Sequence, residues 1–167
     1  MFKHILVATD GSELSDIAVK AAIPFAKSLG AQLTAFYAME APSSSFGDYD
    51  LKNALSPDEF RASEEEKARE ILSAVEASAK AAGVACDSAT VSSDSPHEGI
   101  INVAQDKGCD LIFMASHGRR GMSALVLGSE TNKVLTHCAV PVMVYRWSTS
   151  HRAGRHVGSR PRSIGSQ

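Results

Sequence analysis

The 167-residue sequence lacks most of the short motifs that announce a chemistry. It has no GxxxxGK[ST] and no GxGxxG, which excludes a P-loop and the usual dinucleotide fingerprint. HEGI at 97–100 falls short of HExxH, and the six histidines lack metal-ligand spacing, so a zinc centre is not expected. No GxSxG elbow is present, and no Ser/His/Asp set can be picked out. DGSELS at 10–15 does not match an SGGxDS loop, which leaves an adenylating enzyme without a motif. Cys86, Cys109 and Cys138 are the only cysteines and make no CxxC, so a disulfide framework is not expected and each reads as a small buried side chain.

Long apolar runs are absent too. Nothing approaches the ~20 residues of a membrane span. MFKHILVATDG has too short an apolar stretch for a signal peptide and no small-residue cleavage site. With unpaired cysteines, this gives the expectation of a cytoplasmic protein. The net charge of −2 hides an asymmetry. Residues 148–167 carry Arg152, Arg155, Arg160 and Arg162 and no acid, which leaves 13 basic and 19 acidic side chains, a net −6, in residues 1–147. An acidic body does not support a nucleic-acid-binding surface.

What is present is a regular alternation. HILVATD (4–10) is a short apolar run that ends at Asp10-Gly11-Ser12 and reads as a buried strand. From Glu13 to Leu29, Ile17, Ala18, Ala21, Ala22, Phe25, Ala26 and Leu29 recur at helical spacing, and Gly30 stops the helix. Pro24 should kink it, since proline lacks an N–H and crowds the preceding turn. Residues 31–39 read as a strand and 41–55 as a loop.

Ser56-Pro57-Asp58-Glu59 is a capping box with proline at the first helical position. It opens a helix whose core stripe should be Phe60, Ala68, Ile71, Leu72, Val75, Ala79 and Ala82, closed by Gly83. VACDSATV (84–91) is a weaker strand. Ser95-Pro96-His97-Glu98 repeats the capping box and opens a helix that Gly108 closes. DLIFMAS (110–116) is the next strand, a helix starts near Ser129, and VPVMVYR (140–146) is the last strand.

Strict β-α alternation predicts an α/β fold: a single doubly wound, Rossmann-like domain with a five-stranded parallel sheet and helices on both faces. The domain should cover residues 1–147, and the Ser-, Gly- and Arg-rich tail at 148–167 should be disordered. Ligands of such sheets bind beyond the carboxyl ends of the strands. Asp10, Met39 and the loop after Met114 all fall there.

One stretch holds the chemistry. In LIFMASHGRRGMSALVLGS (111–129), Gly118 follows a strand and Gly128-Ser129 opens a helix. A glycine lets a phosphate approach main-chain N–H groups, and a helix N-terminus offers free N–H groups at its positive dipole end. On spacing alone, Gly118 and Gly121 also read as turn residues and Ser129 as an N-cap. Arg119 and Arg120 read as phosphate partners or as solvated loop residues. His117 reads either as a phosphate contact or as a side chain directed to solvent, His137 as a partner of a helix C-terminus, and His4 and His97 as structural or exposed.

ILVATDGSELS, MASHGRRGMSALVLGSETNKVLTHCAVPVMV and the alternation between them resemble the universal stress protein family over residues 2–146. Its nucleotide-binding members carry Gly-x2-Gly-x9-Gly-(Ser/Thr). Here Ala115 stands in the first glycine position, Gly118 is the second glycine, and Gly128-Ser129 complete the motif. The resemblance implies an ATP site. Asp10 would meet the ribose or adenosine part with Ala8 and Thr9 beside it. The backbone near Ala38 would pair with the adenine edge, and Met114 would pack on the base. Gly118, Gly128, Ser129 and the N–H of Glu130 would hold the phosphates, with magnesium offsetting the Glu130 charge. It also implies a homodimer through the last strand, Val140 to Arg146, and a regulatory stress-response role with at most slow hydrolysis. The alternative is a homodimer of the same type that binds no nucleotide and acts by protein interaction, and Ala115 is the feature that favours it.

Overall fold

The computed structural model describes residues 1–41, 56–117 and 127–146. Residues 42–55 of the loop expected at 41–55, Gly118 with Arg119, Arg120 and Gly121, and the tail at 148–167 lie outside those residues. Among the described residues nine elements alternate: β1 (His4–Ala8), α1 (Glu13–Leu29), β2 (Gln32–Met39), α2 (Pro57–Ala81), β3 (Cys86–Ser92), α3 (Pro96–Asp106), β4 (Leu111–Ala115), α4 (Ser129–His137) and β5 (Val142–Tyr145). The strands form one parallel sheet in the order β3-β2-β1-β4-β5. The predicted α/β architecture is the one observed.

Successive residues of a strand face opposite sides, so each central strand feeds two cores. Ile5 and Val7 of β1, Leu33, Ala35 and Tyr37 of β2, and Leu111 and Phe113 of β4 pack under α1 and α2. Leu6 and Ala8 of β1, Phe36 of β2, and Ile112 and Met114 of β4 pack under α3 and α4. Burial on both faces is why these strands read as continuous apolar runs. The edge strands differ. β3 has only half-buried and exposed residues, and all four β5 residues are half-buried.

The helices α1 and α2 begin for local reasons, and α3 does not. Ser12 caps α1 by accepting from the Ser15 N–H, and Gly30 closes it in the left-handed conformation at φ 62°. Pro24 lies inside α1 without ending it, on the exposed face where the carbonyl it orphans can meet water. Ser56 and Glu59 exchange both bonds of the expected capping box at α2. Ser95 does not repeat it. Its side chain makes no cap hydrogen bond, and the His97 N–H at the start of α3 donates to Glu130 of α4 at 3.0 Å. The expected second capping box is therefore replaced by a carboxylate from another helix.

Two further expectations change. The α2 stripe buries Ala68, Leu72, Val75 and Ala79, while Phe60, Ile71 and Ala82 are only half-buried. The acid Glu64 is buried on the same face. It accepts the Glu40 N–H at 3.0 Å and pairs with Lys67 at 2.9 Å, so it ties α2 to the carboxyl end of β2. Of the cysteines, only Cys109 is buried, and Cys86 and Cys138 are half-buried. Burial pushes the thiols of Cys86 and Cys109 up to about 11, so both are protonated and unreactive at neutral pH.

Candidate functional site

β1 runs on to β2 and β3 on one side, and the chain then crosses to β4 and β5 on the other. The reversal falls between β1 and β4, and a cleft of about 660 Å³ opens over their carboxyl ends. Ala8, Thr9, Asp10, Ala38, Met114, Ala115, Gly128, Ser129 and Glu130 all line it. Gly118, the remaining candidate, lies outside the described residues.

One wall is the end of β1. Ala8 is the last residue of the strand, and the Thr9 N–H still donates to the Phe36 carbonyl at 2.9 Å. Thr9 then turns inward, with its hydroxyl 3.0 Å from that of Ser15 and accepting from the Gly11 N–H at 3.2 Å. Oδ1 of Asp10 accepts from both the N–H and the hydroxyl of Ser12, at 3.0 and 2.6 Å. Asp10 is thus a turn residue and a cleft residue at once. Gly11 supplies the φ of 74° that the turn needs.

The facing wall is the free end of β2. Phe36 offers its carbonyl to Thr9 on the β1 side, and Met39 offers its own to the Ser93 N–H on the β3 side, at 3.1 Å. Backbone groups of successive strand residues point to opposite sides, so residues two apart share a side. Ala38 therefore directs its N–H and C=O toward β1, two residues past the last β1–β2 pair, Ala8 with Phe36. A donor and an acceptor stand side by side on a strand edge that β1 has left.

The far end is built by β4 and α4. Thr131 donates its hydroxyl to the Ala115 carbonyl at 3.1 Å, and the Gly128 N–H donates to the Ser116 carbonyl at 2.9 Å. These two bonds seat the first turn of α4 on the end of β4. Gly128 is the N-cap and has no side chain to cap with, so α4 has no side-chain cap bond. Among the described residues, the N–H groups of Ser129, Glu130 and Thr131 have no partner beside the cleft, since the next N–H, of Asn132, is the first to bond back to Gly128. Ala115 closes β4 in extended conformation, which accepts a Cβ as readily as a glycine.

His117 does not reach solvent. It is 7% exposed, its Nδ1 lies 3.0 Å from the Ser116 hydroxyl, and its Nε2 is buried with no partner among the described residues. Of the other histidines, His4 bonds Thr34 at 2.8 Å, His137 takes the Lys133 carbonyl at 2.8 Å, and His97 pairs with Glu130. Sequence reasoning missed Thr131, Glu40 and Asp94 as cleft residues. The signal for Glu40 and Asp94 was their place just after β2 and β3. For Thr131 it was a polar residue at the first turn of a helix with a glycine cap.

Among the described residues, the charged side chains that line the cleft are Asp10, Glu40, Asp94 and Glu130, and no lysine or arginine lines it. No group of three or more His, Cys, Asp or Glu that could hold a metal ion occurs among the described residues either.

The model of the universal stress protein family matches residues 1–146. The chain belongs to that family. Universal stress protein YxiE of Bacillus subtilis is 32% identical over 150 residues, covering 87% of this chain and all of the relative. Among solved structures, MJ0577 of Methanocaldococcus jannaschii superposes with a TM-score of 0.74 at 26% identity, over 89% of this chain and 98% of its own. Two more distant universal stress proteins share the fold. One, in complex with cAMP, has a TM-score of 0.66 at 23% identity and covers 88% of this chain and 99% of its own. The other, from Arabidopsis thaliana with AMP bound, has a TM-score of 0.62 at 15% identity and covers 92% and 97%. Among the described residues of this universal stress domain, no helix is long and apolar enough to cross a membrane.

Proposed function

We propose that the cleft binds an adenine nucleotide, ATP in particular, and that the protein acts as a nucleotide-responsive regulator. The observation that carries this is the uncapped α4 N-terminus facing the cleft, with the open β2 edge at Ala38 across from it. A donor next to an acceptor on Ala38 suits the adenine edge, which presents N1 as acceptor and the N6 amine as donor. Met114, 6% exposed, offers its thioether to the base. The Asp10 carboxylate, at the end of β1 and on the cleft wall, suits a ribose hydroxyl. Phosphates suit the N–H groups of Ser129, Glu130 and Thr131 and the Ser129 hydroxyl, by the helix-end logic of anion sites. Gly118 would join them from the loop. Structural relatives with cAMP and AMP bound support a nucleotide in this fold.

A magnesium ion fits here only as a partner of the phosphates. Among the described residues no ready-made cage exists, and Mg²⁺ commonly takes one or two carboxylates and substrate oxygens. It would neutralise phosphate charge beside Glu130. In keeping with the family resemblance, turnover should be slow at most.

ATP should raise the melting temperature. A ligand at 100 times its Kd adds about 2.7 kcal/mol, which is roughly 5–11 °C for a chain of this size. Ala115→Gly should give a shift of the same order, because an extended residue has no need of glycine there. Absence of a shift in both proteins would remove ATP from the reading and favour action by protein interaction alone.

The same reading includes a homodimer through β5. This is an edge strand of half-buried apolar residues, and natural sheets cover such edges. Sedimentation at micromolar concentration should give twice the monomer mass. A monomer would defeat this part.

A further inference from the structure

Two helix N-termini meet at the phosphate end of the cleft, and the protein fills one of them itself. At α3, the Glu130 carboxylate accepts the backbone N–H of His97 and contacts its ring Nδ1, both at 3.0 Å. At α4, the N–H groups of Ser129, Glu130 and Thr131 have no partner among the described residues. One residue therefore lends an N–H to the anion seat and fixes a carboxylate beside it.

That carboxylate is held from both sides. Lys133 takes the other oxygen, Oε1, at 2.9 Å, and the Glu130 side chain is 34% exposed. Partial burial pushes its pKa up, but the bonds from Lys133 and His97 outweigh this and hold it below the ordinary glutamate value. It is ionised at neutral pH. The other charged side chains among the described lining residues, Asp10, Glu40 and Asp94, are acids as well. A phosphate arriving at α4 gains a helix end worth about half a positive charge, which acts over about one turn. It also meets the ionised carboxylate of Glu130, tied to Lys133 and to the His97 N–H, on the second residue of the same helix.

Resting on the adenine-nucleotide reading, we propose that Glu130 sets the charge preference of the cleft, so that without divalent cation affinity falls from nucleoside monophosphate to triphosphate. Each added phosphate brings more negative charge against the same fixed carboxylate. A divalent cation on the phosphates lifts most of that penalty, because it lowers the charge the ligand presents.

The test is titration calorimetry of adenosine, AMP and ATP in EDTA, on wild type, Glu130→Gln and Lys133→Gln. The glutamine keeps a carbonyl oxygen for the His97 N–H and loses only the charge. Lys133→Gln alters the same locus by one charge of opposite sign, on a side chain that is 46% exposed. Glu130→Gln should raise ATP affinity about tenfold, AMP affinity less and adenosine affinity least; Lys133→Gln should weaken ATP by a similar factor. Excess magnesium should shrink both effects on ATP to about twofold.

Movement of ATP affinity in the same direction by both variants would mark a structural disturbance and overturn the proposal. Equal changes for all three ligands would overturn it too, because adenosine carries no phosphate. Failure of the underlying reading looks different: none of the three ligands would give heat or a thermal shift with any of the proteins, and the proposal would fall with it.

Discussion

Phe36→Ala should lower stability by about 3–5 kcal/mol, the usual cost of emptying a buried phenylalanine site. For a chain of this length that is a fall of roughly 6–20 °C in melting temperature. Phe36 is 1% exposed and belongs to the core under α3 and α4, with Leu6, Ile100, Ile112 and Met114. Collapse of the backbone cannot fill the space easily. β2 is pinned on both sides at this point, since the Phe36 carbonyl holds the Thr9 N–H and the Tyr37 carbonyl holds the Thr90 hydroxyl.

A second feature sharpens the expectation. Gly99 brings α3 so close that a Cβ there would lie 2.8 Å from Cγ2 of Val91 and 3.1 Å from Cζ of Phe36. Gly99→Ala alone should therefore cost about 1–3 kcal/mol by overpacking. In the Phe36→Ala background it should cost less, because one of its two crowded neighbours is gone. Denaturant unfolding of the four proteins closes this cycle, and strict additivity would show that the glycine does not serve the ring. Phe36 also lines the cleft, so its loss should weaken any nucleotide-dependent stabilisation along with the fold.

Much of this architecture was legible because its causes are local. Apolar runs such as HILVA and LIFMA are strands buried on both faces, and their length and flanking glycines say so in one dimension. Ser56-Pro57-Asp58-Glu59 specified its own helix start, and the structure shows both bonds of the box. Ser95-Pro96-His97-Glu98 has the same pattern and a different outcome. There the His97 N–H goes to Glu130, thirty-three residues away in sequence, and no local rule contains that partner. Glu64 fails to be legible for the same reason. An acid at a helical core position becomes intelligible only when the β2 end and Lys67 are known to converge on it.

The cleft divides along the same line. Strand ends and a glycine-capped helix could be read from residues, and the resemblance supplied the grouping of Asp10, Ala38 and Met114. Spacing alone could not show that Ala38 presents its backbone to a gap left by β1, because that depends on where a neighbouring strand stops. Nor could it show that His117 turns inward. The orientation follows from the seating of Gly128 against the Ser116–His117 backbone, a contact between the two ends of the motif.

Gly128→Val should abolish nucleotide-dependent stabilisation and lower intrinsic stability by about 1–3 kcal/mol. The reason is not the one the motif first suggests. Gly128 sits at φ −60° and ψ 152°, a conformation open to any residue, so backbone strain plays no part. A Cβ built there would lie 3.4 Å from Cα of His117, 3.4 Å from the Ser116 carbonyl oxygen and 3.7 Å from the Thr131 hydroxyl. Its close neighbours are the protein's own backbone at the end of β4. One methyl can fit in that space at van der Waals contact. The two further carbons of valine have to find room against the segment that carries the Gly128–Ser116 hydrogen bond. Relief comes from lifting the α4 N-terminus off β4, which moves the open N–H groups away from the cleft. Gly128→Ala therefore separates two accounts of this glycine. If it serves the seating of α4, alanine should keep most of the ATP-dependent rise in melting temperature, and valine should lose it. If it serves close approach of the phosphate, alanine should already lose the rise while leaving intrinsic stability nearly unchanged. A full ATP-dependent rise in the valine protein would mean that the α4 N-terminus is not where phosphate binds.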